Sequence, residues 1–521
     1  MKTLTVGRAA LSELRSGARS ANVVICVLDA ARADHVGCYG YSLDTTPNLD
    51  QLAKESVLFR NHFTPCPSTK YSTASLFTGL YFPVAAAAPR GSHDAGLRGG
   101  DRGFPAGASS AKGARPPRPT GAPTREVSPD RVDEGRLTIA KALRPAGFRT
   151  AFFSSNPVAS PADGIGADFE QVFVDPSARG SAKQERITLP GDAWMTPEGL
   201  TEVFGKWLAG QRTTRFFAYL HFLPPHDPYN APDAVKQFFA GKGSANVRRG
   251  QFEFPEVRPD QRRIAMMHSP HEPSVDLYDA NLRWADWGIG EVVKALRERD
   301  LLDNTILVVT SDHGEAFGEH GYIWHSRAVY GEFVHIPLLI RFPGPPNGGL
   351  VGEVGALTGT VDLLPTMLDL FQVPYPRESI QGLSVLPLLS GERTKVHDYT
   401  FARSVDAWQS YLVRNLDWSL ILYRGGEFKA LYDLRTDPGE LRNVIGRFRP
   451  KAAAEERRSL EVAGKMSTAL QRFGDAQRLS LAEFISPHAV VKAPGSNPAG
   501  PVPGKLPEEV RRKIRALGYL D

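Results

Sequence analysis

The sequence predicts an α/β protein: a mainly parallel sheet sandwiched by helices, followed by a small antiparallel sheet with a helix. Three observations predict this. Residues 22–28 (NVVICVL) and 305–310 (TILVVT) are short continuous apolar runs rich in β-branched residues, the pattern of strands covered on both faces. Between them, helix-period and strand-like stretches alternate, as a layered α/β sheet requires. From about residue 400 the runs become short and turn-separated, which suits an antiparallel meander.

The chain has 521 residues, 41% hydrophobic and 23% charged, an ordinary globular composition with room for two domains. We divide it into an N-terminal extension (1–21), an α/β domain carrying the chemistry (22–395) and a C-terminal α+β subdomain with its tail (396–521). The net charge of +5 is small for this length, and part of the basic excess lies in one low-complexity stretch. No basic face with aromatic or groove-reading elements is visible, so nucleic acid is not an expected partner. Three cysteines, Cys26, Cys38 and Cys66, form no disulfide framework. No run of 18 apolar residues is present, so no membrane span is expected. The first twenty residues have basic groups but no apolar centre, unlike a signal peptide. The chain as it stands reads as cytoplasmic; a further upstream segment would change that to periplasmic or extracellular.

The first strand ends at Asp29, and ligands of open α/β sheets gather beyond the carboxyl ends of strands. Thr46-Pro47-Asn48 opens a helix with Leu49, Leu52, Ala53 and Val57 on its apolar face. Residues 59–63 lead toward a stretch from Thr69 to Gly79, which reads as a polar helix start turning apolar. Residues 85–135 are rich in Ala, Gly, Pro and Arg and cannot pack a core, so we read them as a disordered insertion. A short amphipathic helix (Leu137, Ile139, Ala140, Leu143) and a strand at 150–153 follow. Residues 175–195 are loop-like, 197–209 a helix, and 216–222 a strand that runs into Leu223-Pro224-Pro225-His226-Asp227. There the prolines are expected to stop the strand and fix His226 beyond its end. Residues 231–273 read as a charged excursion, and a helix spans about 275–297. The second strong strand delivers Asp312-His313-Gly314-Glu315, with His325 further on. Residues 336–342 form another strand and 362–370 a helix. Short strands near 411–414, 420–423 and 430–434 precede a helix at about 450–472, and an amphipathic helix closes the chain at 507–517.

Two carboxylates and a histidine at strand ends, Asp29 with Asp312 and His313, are a donor set for one divalent cation such as Zn, Mn, Mg or Ca. A threonine hydroxyl becomes a competent nucleophile when a metal lowers its pKa and orients it. Thr69, at the start of its helix, is therefore the candidate fourth ligand and attacking group. The positive helix end favours a bound tetrahedral oxyanion. Charge developing on non-bridging oxygens needs cationic or N–H donors; Lys70, His226 and His325 are the candidates, and either histidine could protonate the leaving oxygen.

These stretches resemble the sulfatase family of the alkaline phosphatase superfamily. DAARADHVGCYGY followed by TTPNLDQLAKESVLFRNHF, the SLFTG helix, SDHGEAFGEHG, HIPLLIRFPG, VDLLPTMLDL, LYDLRTDPGELRNV and the final ALGYL occur in the family's order. The resemblance implies a small-molecule sulfate or phosphate ester as substrate. Departures from the family's pattern bear on the chemistry. The family's modified Cys or Ser lies nine residues before the Thr-Gly pair; that offset from Thr78 lands on Thr69, not on Cys66. From Thr69, the family's proline and arginine positions hold Tyr71 and Thr73. Asp29 is followed by Ala30 rather than a second Asp, and Asp312 by a histidine. Threonine, one Asp and Asp-His together resemble the phosphate-handling branches, phosphodiesterases and phosphoglycerol or phosphoethanolamine transferases. The reading that follows is a metal-dependent hydrolase using a covalent Thr69 intermediate, leaning to phosphate mono- or diesters. The alternatives are a transferase acting on lipid head groups, an arylsulfatase with a modified Cys66, and a non-catalytic binding module.

Overall fold

The computed structural model describes residues 8–81, 135–161, 164–174, 196–211, 215–242, 274–344, 350–405, 410–423, 429–445 and 453–476. The expected insertion at 85–135, the loop at 175–195, most of 231–273 and the closing helix fall essentially outside these residues. Ten strands precede the C-terminal sheet: β1 (Asn22–Asp29), β2 (Val57–Phe63), β3 (Arg149–Ser154), β4 (Gln171–Val174), β5 (Phe216–Pro225), β6 (Thr305–Ser311), β7 (Ala316–Phe317), β8 (Ile323–Trp324), β9 (Leu338–Arg341) and β10 (Gly352–Gly359). Eight of them make one sheet in the order β10-β2-β9-β6-β1-β5-β3-β4, and β7 pairs with β8. Only β9 runs against its neighbours, β2 and β6; the other pairings of the large sheet are parallel.

Strand β1 shows why the sheet is a middle layer. Successive strand side chains point to opposite faces. Val23, Ile25 and Val27 pack with Leu363, Leu364, Met367 and Leu368 on one side. Val24, Cys26 and Leu28 pack with Leu282, Ala285 and Ile289 on the other. Those residues belong to helices Leu363–Phe371 and Val275–Arg297, near their expected bounds. Helix Pro197–Ala209 starts where Thr196 Oγ1 accepts the Gly199 N–H at 3.1 Å and proline takes the first turn, a favourable cap and entry. The helix Arg8–Ala18 lies upstream of β1 and buries Leu14 and Ala18 in the first core face.

Several elements differ from expectation. The segment Val57–Phe63 is a full strand, although Arg60, Asn61 and His62 interrupt its apolar pattern. Glycine-rich residues 352–359 are also a strand, with a register shift between Val354 and Leu357 that absorbs Gly355. Strand β5 does not stop before Pro224 and Pro225 but includes both. Asp29 pairs with Pro225 after an irregularity at Leu28/Asp29, and a missing N–H is tolerated at such a strand end. Within 231–273, Asp233–Phe239 forms a helix that buries Phe239 against Ala280 and Trp284.

The expected C-terminal meander is present: β11 (Thr400–Arg403), β12 (Ser410–Arg414), β13 (Trp418–Tyr423) and β14 (Lys429–Asp433), antiparallel and in chain order. One face, with Leu412, Ile421 and Tyr432, packs on Phe63, Tyr330 and Phe333 of the body. The other, with Val413, Leu420 and Leu422, packs on Ala463, Met466 and Leu470 of helix Ala453–Ala476.

Candidate active site

Three adjacent strands, β6, β1 and β5, end side by side, with Leu28 level with both Ser311 and Phe222. This register sets Asp29, Asp312 and the residues after β5 at one end of the sheet. The parallel register breaks between Leu28 and Asp29, where Asp29 pairs with Pro225. Ala30 takes a left-handed backbone, φ +63°, which is unfavourable for a residue with a Cβ. It is held there by bonds at both ends. Its N–H donates to Asp312 Oδ1 at 3.1 Å and its carbonyl accepts the Tyr278 hydroxyl at 2.8 Å. Strained backbone of this kind collects at functional sites.

Asp29, Asp312 and His313 are buried, and one ligand atom from each lies within 4.8 Å of the others. His313 Nε2 is 3.6 Å from Asp29 Oδ1 and 3.6 Å from Asp312 Oδ2. His313 Nδ1–H donates to the Gly314 carbonyl at 2.9 Å, which leaves the Nε2 lone pair facing the carboxylates. Asp29 Oδ1 and Asp312 Oδ2 are buried oxygens with no hydrogen-bond partner among the described residues. An uncompensated buried carboxylate oxygen is costly, and a cation between these oxygens would remove the cost. The donor set is thus chemically suited to a divalent metal. Thr69 Oγ1 lies 3.2 Å from His313 Nε2. It opens the helix Thr69–Thr78, which closes on Gly79 in the left-handed conformation. Lys70 is half-buried on the first turn of that helix.

A second group adjoins the first. His226, Glu315 and His325 are buried, again with one ligand atom from each within 4.8 Å of the others. His226 N–H donates to the Asp29 carbonyl at 3.1 Å, and His226 Nδ1–H to the Asp227 carbonyl at 2.6 Å. His325 Nδ1 is 3.2 Å from Glu315 Oε1, and its ring stacks on His313 at 4.5 Å. Its neighbours Trp324 and Ser326 both have positive φ, +67° and +74°. Ser326 Oγ donates to the Pro67 carbonyl at 3.1 Å, tying the His325 turn to the segment before Thr69.

Burial raises the Asp29 carboxyl, but His226, His221 and His313 outweigh it and hold it below the carboxylate range. Burial lowers His226, but Asp227 and Asp29 outweigh it and hold the imidazole well up. Burial, then His313 and His226, press His325 well down. Glu315 is pushed up to about 8 by burial. Cys66 is buried and its thiol is pushed up to about 12 by that burial, so it is not a ready thiolate.

All four residues read as metal ligands, and both histidines, therefore come together; Lys70 stands on the adjoining turn. Four further residues were not anticipated. His221 Nε2 is 3.2 Å from Asp29 Oδ2 while its Nδ1 faces the Tyr219 hydroxyl at 2.8 Å. Asn156 Nδ2 donates to Asp29 Oδ2. Glu315 and Asp227 hold the two histidines. A histidine inside the apolar run FFAYLHF and an asparagine just past a strand end were visible signals; their partners were not.

Comparison with known proteins gives a consistent result. A family model described as Sulfatase matches residues 21–373, and one described as N-sulphoglucosamine sulphohydrolase, C-terminal, matches 318–461. Arylsulfatase K of Canis lupus familiaris is 31% identical over 282 residues, 46% of this chain and 51% of that protein. An N-acetylglucosamine-6-O-sulfatase of Bacteroides thetaiotaomicron is 23% identical over 497 residues, 82% of this chain and 83% of that protein. The chain spans about half the length of the arylsulfatase K relatives it matches. Among solved structures, the phosphonate monoester hydrolase of Agrobacterium radiobacter superposes with a TM-score of 0.62 at 20% identity, covering 87% of this chain and 96% of that one. At that identity the likeness carries the fold.

Proposed function

The chain belongs to the sulfatase family, and from that premise we propose that it is a metal-dependent hydrolase of small-molecule sulfate or phosphate esters with Thr69 as the attacking group. The observation that carries this reading is the placement of the Thr69 hydroxyl, 3.2 Å from His313 Nε2, beside the orphaned oxygens of Asp29 and Asp312. Asp29, Asp312, His313 and Thr69 would hold one divalent ion; when bound, such an ion lowers a hydroxyl pKa and withdraws charge from an ester oxygen. Asn156 and His221 orient the Asp29 carboxylate. The first turn of the Thr69 helix presents its positive end to a tetrahedral anion. His226 and His325 meet the charge that develops on the non-bridging and leaving oxygens, and Lys70 adds positive charge at the rim.

The lean toward phosphate esters rests on one strand-end Asp in place of a pair, on Asp-His after β6, and on a threonine at the nucleophile position. Cys66 as a modified nucleophile is disfavoured by its register, three residues before Thr69, while it is the Thr69 hydroxyl that stands 3.2 Å from His313 Nε2. A lipid-directed transferase has less support: among the described residues no helix is long and apolar enough to cross a membrane.

The test is a paired assay of the metal-reconstituted chain on an aryl sulfate and an aryl phosphodiester. We expect phosphodiester turnover that falls by at least about 1,000-fold in Thr69→Ala and persists in Cys66→Ala. Sulfate turnover that survives Thr69→Ala and vanishes in Cys66→Ala would assign the nucleophile to the cysteine instead.

A further inference from the structure

The two histidines assigned to the leaving oxygen each bring an aromatic neighbour. Tyr229 follows His226 by three residues, and Trp324 immediately precedes His325. Both are half-buried, and their rings lie near-parallel, 20° between planes and 6.5 Å between centroids. The Tyr229 hydroxyl is itself buried; burial, then the charges of Glu315 and Asp227, raise its pKa. Its polar end is thus set inward, within reach of two pocket carboxylates, and what it leaves exposed is ring. Both rings are also held in place. Asn281, buried on the helix Val275–Arg297, accepts the Ala231 N–H at 2.9 Å, and its Nδ2 donates to the His226 and Pro228 carbonyls at 3.3 and 3.2 Å. That clamps the loop on both sides of Tyr229. Trp324 pairs with Ala316 across the β7–β8 ladder and takes φ +67°, a conformation that bulky side chains rarely adopt. Just beyond it, Ser326 accepts the Val405 N–H at 3.2 Å through its carbonyl. Backbone strain of this kind persists only where its surroundings over-determine it, and it collects at sites that bind.

From this placement we propose that Tyr229 and Trp324 are specificity-determining residues: they form an aromatic wall that stacks against the leaving alcohol and selects esters of a flat aromatic ring over esters of an alkyl chain. The proposal rests on the reading above in one respect, because it takes His226 and His325 to stand at the leaving side. The rings of those two histidines lie 4.8 Å apart, so a group bonded to the oxygen they meet emerges beside the residues next to them in the chain. Aromatic rings attract one another in offset or edge-on arrangements beyond the area they bury. A rigid ring also loses less freedom on binding than an alkyl chain with several rotatable bonds. Because the tyrosine and the tryptophan are fixed before the ester arrives, little further ordering opposes the stack.

Binding of non-hydrolysable phosphonates tests this apart from turnover and from the identity of the nucleophile. The metal-loaded full chain is titrated calorimetrically with benzylphosphonate, cyclohexylmethylphosphonate and butylphosphonate. Benzylphosphonate is expected to bind at least about 5-fold more tightly than the other two, the low end of what stacking on an aromatic side chain contributes. Trp324→Ala should bring the three affinities together by weakening benzylphosphonate alone, and Trp324→Phe should restore most of the difference. Tyr229→Leu should narrow it, whereas Tyr229→Phe, which keeps the ring, should not. Equal affinities in the unsubstituted chain would overturn the proposal, as would a benzyl preference that survives both Trp324→Ala and Tyr229→Leu. Equal weakening of all three ligands in Trp324→Ala would assign Trp324 to holding His325 in place and would overturn the wall as well. No binding of any phosphonate would overturn the phosphate-ester reading and the wall with it. A benzyl preference that behaves as expected, beside phosphodiester turnover untouched by Thr69→Ala, would uphold the wall while removing Thr69 as the attacking group.

Discussion

At the scale of single residues, the site is built from side chains whose second polar atom is already spoken for. His313 spends Nδ1 on Gly314, His226 spends Nδ1 on Asp227, and His221 spends Nδ1 on Tyr219. Each imidazole then has one defined nitrogen for the pocket. A buried histidine outside the pocket gives a separate test. His320 lies 2.6 Å from Glu332 and 3.0 Å from the Glu440 carbonyl. Burial lowers its pKa, but the Glu332 charge outweighs burial and lifts it to about 9. The folded value exceeds the unfolded one, so this pair stabilises fully below about pH 6.5. The contribution is lost as pH rises through about 9. Denaturant titration of the chain and of His320→Gln should show a stability gap of about 1–3 kcal/mol near pH 6, the range of a hydrogen bond to a charged group. The gap should shrink by pH 9.5; one that stays constant across that range would remove the charge argument.

At the scale of elements, the loop after β6 is the most constrained. Gly314 accepts from His313 through its carbonyl and donates to the Phe333 carbonyl at 2.8 Å. A Cβ on Gly314 would stand 2.1 Å from the Glu332 carbonyl oxygen. Neither backbone can yield without moving His313. Gly314→Ala should therefore destabilise the fold by about 1–3 kcal/mol and weaken metal binding at the Asp29 set. Its denaturation midpoint and its zinc affinity, measured together, check this; unchanged zinc affinity would show that His313 is not held by this contact. The helix Val275–Arg297 plays the matching part on the other side. Tyr278 on it donates to the Ala30 carbonyl and accepts the Arg32 N–H. Asp286 accepts the Asn48 and Leu49 N–H groups, docking the helix Pro47–Ala53.

At the scale of the whole molecule, the sheet brings residues from sequence positions 29, 69, 226 and 312–325 to one end. The C-terminal sheet locks that end, as Glu440 accepts from Arg414 at 2.8 Å and from the Gly331 N–H at 2.6 Å. Since Asp29 Oδ1 and Asp312 Oδ2 are buried there without a hydrogen-bond partner among the described residues, the folded chain should depend on metal. A ligand at 1,000 times its dissociation constant stabilises by about 4 kcal/mol. Chelation should thus lower the melting temperature by several degrees, and Zn²⁺ or Mn²⁺ should restore it. A melting temperature indifferent to chelator, in protein shown by elemental analysis to have lost its metal, would contradict the role assigned to Asp29 and Asp312.

How much of this was legible in the sequence follows from how local each signal is. The two buried strands announced themselves because continuous β-branched runs are a local pattern, and the helix at 275–297 because its apolar period is. Strands β2 and β10 were not legible: Arg60 and His62 in one, and Gly355 in the other, take their places only when paired with each other. The sequence by itself determined the layered α/β class and the family resemblance, and it singled out Asp29, Thr69, Asp312 and His313 as candidates from strand ends and a helix start, with His226 and His325 added by the resemblance. Only the tertiary structure decided that Asn156, His221 and Glu315 belong with them. Their partners are 127, 192 and 10 residues away, and a contact across strands, or around a turn with two positive-φ residues, has no period to read. The same holds for the orphaned oxygens. A carboxylate's lack of a partner is a property of everything folded around it.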